Sequence, residues 1–115
     1  MLVVLFSSNV FAKQLRDGSF YHECKFDSAT SGGAPPHKSF RLRYTIGAFY
    51  NQTLYINNFQ LSGVNTYKGH AEGYFSFRDG TNALYTFDEA YRSAFITIYN
   101  ARGEETYIGK YICSP

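Results

Sequence analysis

The segment Phe40–Ile46 alternates apolar and polar residues without interruption, and this alternation constrains the fold more than any other feature. Successive side chains of a β-strand point to opposite faces, so the four apolar side chains of the segment share one face. Arg41 and Arg43 then lie on the other face. This pattern predicts an antiparallel strand with one face in the core and one face in water.

Six further segments are rich in the β-branched and aromatic residues that suit a pleated sheet. They are Phe20–Phe26, Thr53–Asn57, Tyr67–Phe77, Ala83–Phe87, Ala94–Tyr99 and Thr106–Cys113. Asp79-Gly80 and Ala101-Arg102-Gly103 supply glycine where a tight hairpin needs a positive φ. We therefore expect an all-β fold, an antiparallel sandwich or small barrel of seven to eight strands.

Length and charge restrict the class of protein. The chain has 115 residues, of which 44% are hydrophobic, so a single domain with a substantial core is expected. The formal net charge is only +2, well short of the concentrated positive charge that holds a phosphate backbone. Nucleic acid is therefore not expected as a partner.

The first twelve residues are typical of the end of a secretory signal peptide. Leu2–Phe6 is a short apolar run, and Val10 and Ala12 stand three and one positions before a candidate cleavage site. The expected organisation is a signal-peptide remnant over residues 1–12 and a single β domain over 13–115. An ordinary β-strand at Leu2–Phe6 is the alternative. The run is too short to span a bilayer, which needs about 20 residues, so no stable membrane insertion is expected.

The two cysteines, Cys24 and Cys113, point to the same compartment. They lie 89 positions apart and have no CxxC or Cys-His spacing around them. An even pair in an exported protein predicts one disulfide that joins the two ends of the domain, and a periplasmic location. Two buried free thiols are the alternative.

No catalytic or metal-binding pattern is recognisable. His22, His37 and His70 are scattered, no serine lies in a GxSxG turn, and adjacent carboxylates such as Asp88 and Glu89 would point to opposite sides of a strand. We therefore expect a protein that is not an enzyme and has no metal or other cofactor.

The chain has 11 Tyr and 11 Phe, and in some predicted strands aromatic residues occupy both faces, so that some tyrosines point outward. Tyrosine is enriched at interfaces because it offers a large contact area and a hydroxyl group. Tyr74 and Tyr91, with the neighbouring Arg92, are therefore candidates for a partner-binding surface. Alternatively, the tyrosines close the open ends of a small barrel. A symmetric homodimer through an uncovered edge or aromatic face is compatible with the pattern.

The segment Ser62–Ala71, with its Ser-Gly loop, Tyr67 and Lys68-Gly69, resembles a loop and strand of the periplasmic inhibitors of C-type lysozyme. Those proteins are exported, eight-stranded and disulfide-linked. The resemblance implies partner-binding residues at the positions Ser62, Asn65, Tyr67, Lys68 and His70. An ordinary polar hairpin loop is the alternative. The general outline also resembles the immunity proteins that bacteria export against cell-wall-degrading effectors of type VI secretion, from which no residue can be transferred.

These observations lead to one principal hypothesis and two alternatives. The principal one is a periplasmic protein that inhibits a peptidoglycan-degrading enzyme of the muramidase type by inserting the Ser62–His70 loop, with neighbouring Tyr and charged residues, into its active cleft. The first alternative is a carrier barrel for a small apolar ligand, with a cavity lined by Phe40, Leu42, Phe75, Phe77 and Phe95. The second is an adhesin-like structural module that pairs through an exposed edge strand.

Overall fold

The computed structural model describes residues 13–14, 18–30, 34–46, 52–67, 70–88 and 90–114. The predicted signal-peptide remnant and Lys68 lie outside these residues. Ten strands occur within the described part of the chain. Their bounds are β1 Lys13–Gln14, β2 Phe20–Ala29, β3 Ser39–Ile46, β4 Gln52–Ile56, β5 Phe59–Gln60, β6 Ser62–Tyr67, β7 His70–Ser76, β8 Asn82–Phe87, β9 Ser93–Tyr99 and β10 Glu105–Ser114.

The strands form one antiparallel sheet that nearly closes into a barrel. Their order is β5-β4-β3-β2-β10-β9-β8-β7-β6, with the short β1 paired to β2. All strands that follow each other in the chain are neighbours in the sheet except β5 and β6, and the last strand, β10, pairs with the first long one, β2. The sheet path ends at β5 on one side and at β6 on the other, so the barrel is split between two strands that follow each other in the chain.

The split arises because one stretch of chain, Phe59–Tyr67, changes its pairing partner halfway. β5 pairs with β4, and the Leu61 N–H continues this pairing by donating to the Leu54 carbonyl at 2.9 Å. From Ser62 onward the chain pairs with β7 instead, through a bulge at which Gly63 has a φ of 60°. The switch at Leu61 bends the stretch from one edge of the sheet to the other.

The structure confirms the predicted all-β antiparallel fold, of the barrel type. Each of the seven predicted segments contains a strand, and the additional strands are β1, β5 and β6. The segment interpreted as a Ser62–His70 loop differs, because residues 62–67 form β6 and His70 begins β7. The bulge interrupts the alternation of side chains between the two faces, so the sequence pattern does not predict this strand. Both predicted glycine turns are present, with φ of 90° at Gly80 and 82° at Gly103.

The core fills the barrel with aromatic and aliphatic side chains of the inward parity. Phe40, Leu42, Phe87, Ile96 and Tyr111 are all at most 2% exposed. The predicted disulfide is confirmed: Cys24 and Cys113 are directly paired across β2 and β10 and are bonded to each other. The bond therefore lies inside the barrel, where the first and last long strands meet.

No helix long and apolar enough to cross a membrane occurs among the described residues.

Candidate functional site: an apolar cavity at the mouth of the barrel

A cavity of about 360 Å³ opens at one end of the barrel, beside the split in the sheet. We call it the mouth cavity. Its lining consists of Pro36, His37, Ile56, Phe59, Leu61, Phe75, Phe77 and Tyr85. Cavities that bind small molecules have volumes of roughly 300 to 1,000 Å³ and are lined mainly by apolar and aromatic side chains with a few polar groups. The mouth cavity has both properties.

The change of pairing partner at Leu61 places this side chain in the cavity wall. Leu61 is 3% exposed and packs against β7 at Gly73. A Cβ at position 73 would lie 2.8 Å from the Leu61 Cβ, so only glycine allows the chain to pass this close. The change of pairing partner at Leu61 therefore depends on glycine at position 73.

The cavity lining has two polar side chains, His37 and Tyr85, whose rings both lie next to the buried core residue Phe40, with centroid distances of 5.4 and 5.9 Å. His37 Nε2 and the Tyr85 hydroxyl are hydrogen-bonded at 2.9 Å. His37 comes from the segment before β3, and Tyr85 from the inward face of β8, where it is 3% exposed. The Tyr111 hydroxyl donates to the His37 carbonyl at 2.6 Å and so ties this segment to β10. The histidine is held by its ring and by its backbone.

Both polar groups are held in their uncharged forms. Burial lowers the pKa of the His37 imidazole below its ordinary value of 6.5. Burial, with a smaller contribution from Tyr111, raises the pKa of the Tyr85 hydroxyl well above its ordinary value of 10. At neutral pH the pair therefore presents hydrogen-bonding groups without a net charge.

Three phenylalanine rings form a row at the entrance. Phe59 and Phe77 are 56% and 42% exposed, although both line the cavity. Phe75 lies between them, with ring centroids 5.2 Å from Phe59 and 4.9 Å from Phe77. Large apolar side chains that are exposed together in this way are a feature of binding surfaces.

The carrier hypothesis predicted part of this lining. Phe75 and Phe77 line the cavity. Phe40 and Leu42 instead pack in the filled core next to it, at 2% and 0% exposure. Phe95 lies on the outward face of β9 and is 42% exposed, so its side chain points away from the interior of the barrel. Side chains therefore fill the interior of the barrel next to the mouth cavity, and the free volume lies at one end of the barrel.

The residues expected to bind a cell-wall hydrolase lie on the β6–β7 hairpin. Ser62 and Asn65 are exposed, and the Ser62 hydroxyl donates to the Tyr74 carbonyl at 3.2 Å. His70 Nε2 lies 3.9 Å from the Glu72 carboxylate. Tyr67 ends β6, and Lys68 falls outside the described residues. The structure thus places Ser62, Asn65 and His70 on the paired strands β6 and β7.

The three other surface candidates are not brought together in one patch. Tyr74 is 39% exposed on β7, and Arg92 is exposed in the turn before β9. Tyr91 instead points toward the core, where its ring stacks on Tyr44 at 4.4 Å and its hydroxyl donates to Gln52 Oε1 at 2.9 Å. Tyr91 therefore matches the alternative in which tyrosines close an end of the barrel.

Sequence reasoning assigned no role to Leu61, His37 or Tyr85, which line the mouth cavity. Only the parity of β8 could have placed Tyr85 inside, since it alternates with Leu84 and Thr86. His37 follows two prolines and has no periodic pattern around it. Its position depends on contacts with strands 48 and 74 residues away, which no local pattern encodes.

Within the described residues, no three His, Cys, Asp or Glu side chains are close enough together to hold a metal ion. No family model matches the chain, and the comparisons with curated proteins and with solved structures give no significant match.

Proposed function

We propose that this protein binds a small, mainly apolar molecule in the mouth cavity. The observation that carries the proposal is an apolar cavity of about 360 Å³ with exposed phenylalanine rings at its entrance. Barrels of about eight strands are either filled by their own side chains or hold one small ligand, and free volume at one end of this sheet of nine consecutive strands fits the second case. An apolar molecule that enters the cavity would cover apolar surface that otherwise faces water, which is favourable.

The location that fits this role is an oxidising compartment. The Cys24–Cys113 disulfide is consistent with an extracellular or periplasmic protein, since such bonds persist outside the cytosol. We propose the periplasm, on the additional ground of the signal-like pattern in residues 1–12. An exported carrier of apolar molecules would transfer them through water.

Binding of N-phenylnaphthylamine, an uncharged probe that fluoresces in apolar surroundings, tests the proposal. The variant Phe77→Ala removes one ring of the entrance, and we expect it to weaken probe binding by about tenfold, equivalent to roughly 1.4 kcal/mol. Phe95→Ala is the matched control, because Phe95 has the same exposed fraction of 42% but lies on the outer face of β9. Equal losses in the two variants, or no binding to the unmodified protein, would refute the proposal.

The β6–β7 hairpin favours inhibition of a peptidoglycan-degrading enzyme as a second candidate function. β6 is the last strand of the sheet path, and its Ser62 and Asn65 are exposed to solvent. The hairpin is preorganised by its pairing with β7, and a preorganised element loses little conformational entropy when it binds. Such an element suits insertion into an enzyme cleft.

Inhibition assays with purified muramidases separate this candidate from the first. An equimolar amount of the protein should reduce the activity of the target enzyme, and the double variant Ser62→Ala/Asn65→Ala should restore it. Full muramidase activity in the presence of the unmodified protein would remove this candidate and leave the proposal on the mouth cavity unaffected.

A further inference from the structure

Among the residues that the structure describes, no Lys, Arg, Asp or Glu side chain lines the mouth cavity. Its polar atoms are concentrated at the hydrogen-bonded pair of His37 and Tyr85, and the other lining residues are aliphatic or phenylalanine, with one proline. An ionised carboxylate or phosphate moved into such a site would lose its hydration and find no opposite charge, which is costly. The lining therefore discriminates between charged and uncharged occupants.

The His37–Tyr85 pair can form one more hydrogen bond in either of two arrangements. When the Tyr85 hydroxyl donates its proton to a neutral His37 Nε2, the phenol oxygen can still accept a hydrogen bond. When His37 Nε2 carries the proton and donates it to the phenol oxygen, the Tyr85 O–H is free to donate. The first arrangement suits a hydroxyl group of a ligand, and the second suits a carbonyl group.

The pair is rigid enough to act as a recognition element. Tyr85 projects from the middle of β8, between two paired strands. His37 is fixed through its carbonyl by Tyr111, and its ring packs against Phe40 with a centroid distance of 5.4 Å. Polar groups placed at the inner end of an apolar cavity orient a ligand and provide specificity.

Building on the proposed function, we propose that the ligand is an uncharged, mainly apolar molecule that enters with a hydroxyl or carbonyl group first and bonds to the Tyr85 hydroxyl. Its apolar part then lies along Ile56, Leu61 and Phe75 toward the entrance. Long-chain alcohols and ketones belong to this class, and fatty acids at neutral pH do not.

Displacement of bound N-phenylnaphthylamine by octanol and by octanoate at pH 8 tests this inference. The unmodified protein should release the probe at an octanol concentration at least about tenfold below that of octanoate. Tyr85→Phe keeps the ring and removes only the hydroxyl, so we expect octanol to bind about fivefold more weakly, a larger loss than that of the probe, which carries no hydroxyl or carbonyl group. Tyr44→Phe is the control at a second buried tyrosine, outside the cavity lining, and should leave octanol binding unchanged.

The outcomes separate this inference from the function on which it rests. Octanoate as effective as octanol, or octanol binding unaffected by Tyr85→Phe, would overturn the inference while the cavity remained a binding site. Failure of the probe to bind the unmodified protein would overturn both.

Discussion

At the scale of single residues, a stack of aromatic rings closes the end of the barrel opposite the mouth cavity. Tyr44 and Tyr91 stack on each other at 4.4 Å, and the ring of His22, which is 3% exposed, lies beside both, with centroid distances of 6.0 and 5.6 Å. Phe20 also stacks on Tyr44, at 5.4 Å. Burial raises the pKa of the Tyr44 hydroxyl to about 12, with a smaller contribution from Tyr91. The Tyr44 hydroxyl is therefore uncharged at neutral pH.

Burial of His22 makes the stability of the fold depend on pH. Desolvation lowers the pKa of His22 below 6.5, although the Ser114 backbone and the Asp88 carboxylate oppose this shift. Between the lowered native pKa and about 6.5 the unfolded chain binds more protons, so the free energy of unfolding falls as the pH falls. The contribution of His22 is fully present above about pH 6.5.

The variant His22→Phe keeps a ring in the stack and removes the titration. We expect its free energy of unfolding, measured by urea denaturation from pH 7.5 to 5, to fall less steeply than that of the unmodified protein. His37 also has a lowered pKa and contributes a slope of the same sign, so part of the pH dependence should remain. An unchanged slope in His22→Phe would show that the buried imidazole does not couple folding to protonation.

The change of pairing partner at Leu61 depends on Gly73, which allows β7 to approach Leu61 closely. In Gly73→Ala the new methyl group would overlap the Leu61 Cβ, which cannot move without the backbone, and overpacking of this kind costs about 1 to 3 kcal/mol. We expect a lower melting temperature and weaker binding of N-phenylnaphthylamine, because Leu61 lines the cavity.

Gly109→Ala is the matched control for this substitution. Its Cβ would lie 2.9 Å from the Tyr107 ring, whose outer end can rotate away, so the loss of stability should be smaller. A loss in Gly73→Ala no larger than in Gly109→Ala would contradict the role assigned to the close approach of Leu61.

At the scale of strands, the disulfide joins the first and last long strands of the chain, β2 and β10, which pair in the middle of the sheet. Cys24 and Cys113 enclose a loop of 89 residues, and in the chain-entropy model a bond across about 90 residues stabilises the fold by about 4.6 kcal/mol. We expect the double variant Cys24→Ala/Cys113→Ala to lose about 4 to 5 kcal/mol in urea denaturation.

Denaturation in the presence of dithiothreitol provides the control for the cysteine variant. The reductant should lower the stability of the unmodified protein and leave that of the double variant unchanged. Equal stability of the oxidised protein and the double variant would mean that the β2–β10 pairing holds the barrel closed without the bond.

The strands differ in how well the sequence predicts them, for a physical reason. β3 and β8 pack one face on the core and the other toward water, so their period of two is unbroken. The stretch Phe59–Tyr67 changes partner at Leu61, and a bulge between Ser62 and Asn65 shifts its register. The sequence pattern does not encode a change of pairing partner, so it predicts a loop at Ser62–His70 where the structure has β6.

At the scale of the whole molecule, the barrel has an interior filled with side chains and a cavity at one end. Phe40, Phe87 and Tyr111 fill the interior, and the ring stack closes the far end. The sequence indicates the inward parity of these side chains but not their packing, which depends on the register of strands far apart in the chain. The mouth cavity exists because Ile56, Leu61, Phe75 and Tyr85 converge around a space that none of them fills.

A titration of the protein with N-phenylnaphthylamine, followed by NMR of isoleucine and leucine methyl groups, tests the role of the mouth cavity most directly. We predict that the methyl signals of Ile56 and Leu61 shift on binding, since both side chains line the cavity. The signals of Ile112, which is 48% exposed on β10, and of the buried Leu54 should stay in place. Shifts at Ile112 without shifts at Ile56 and Leu61 would place the binding surface outside the barrel and contradict the proposed function.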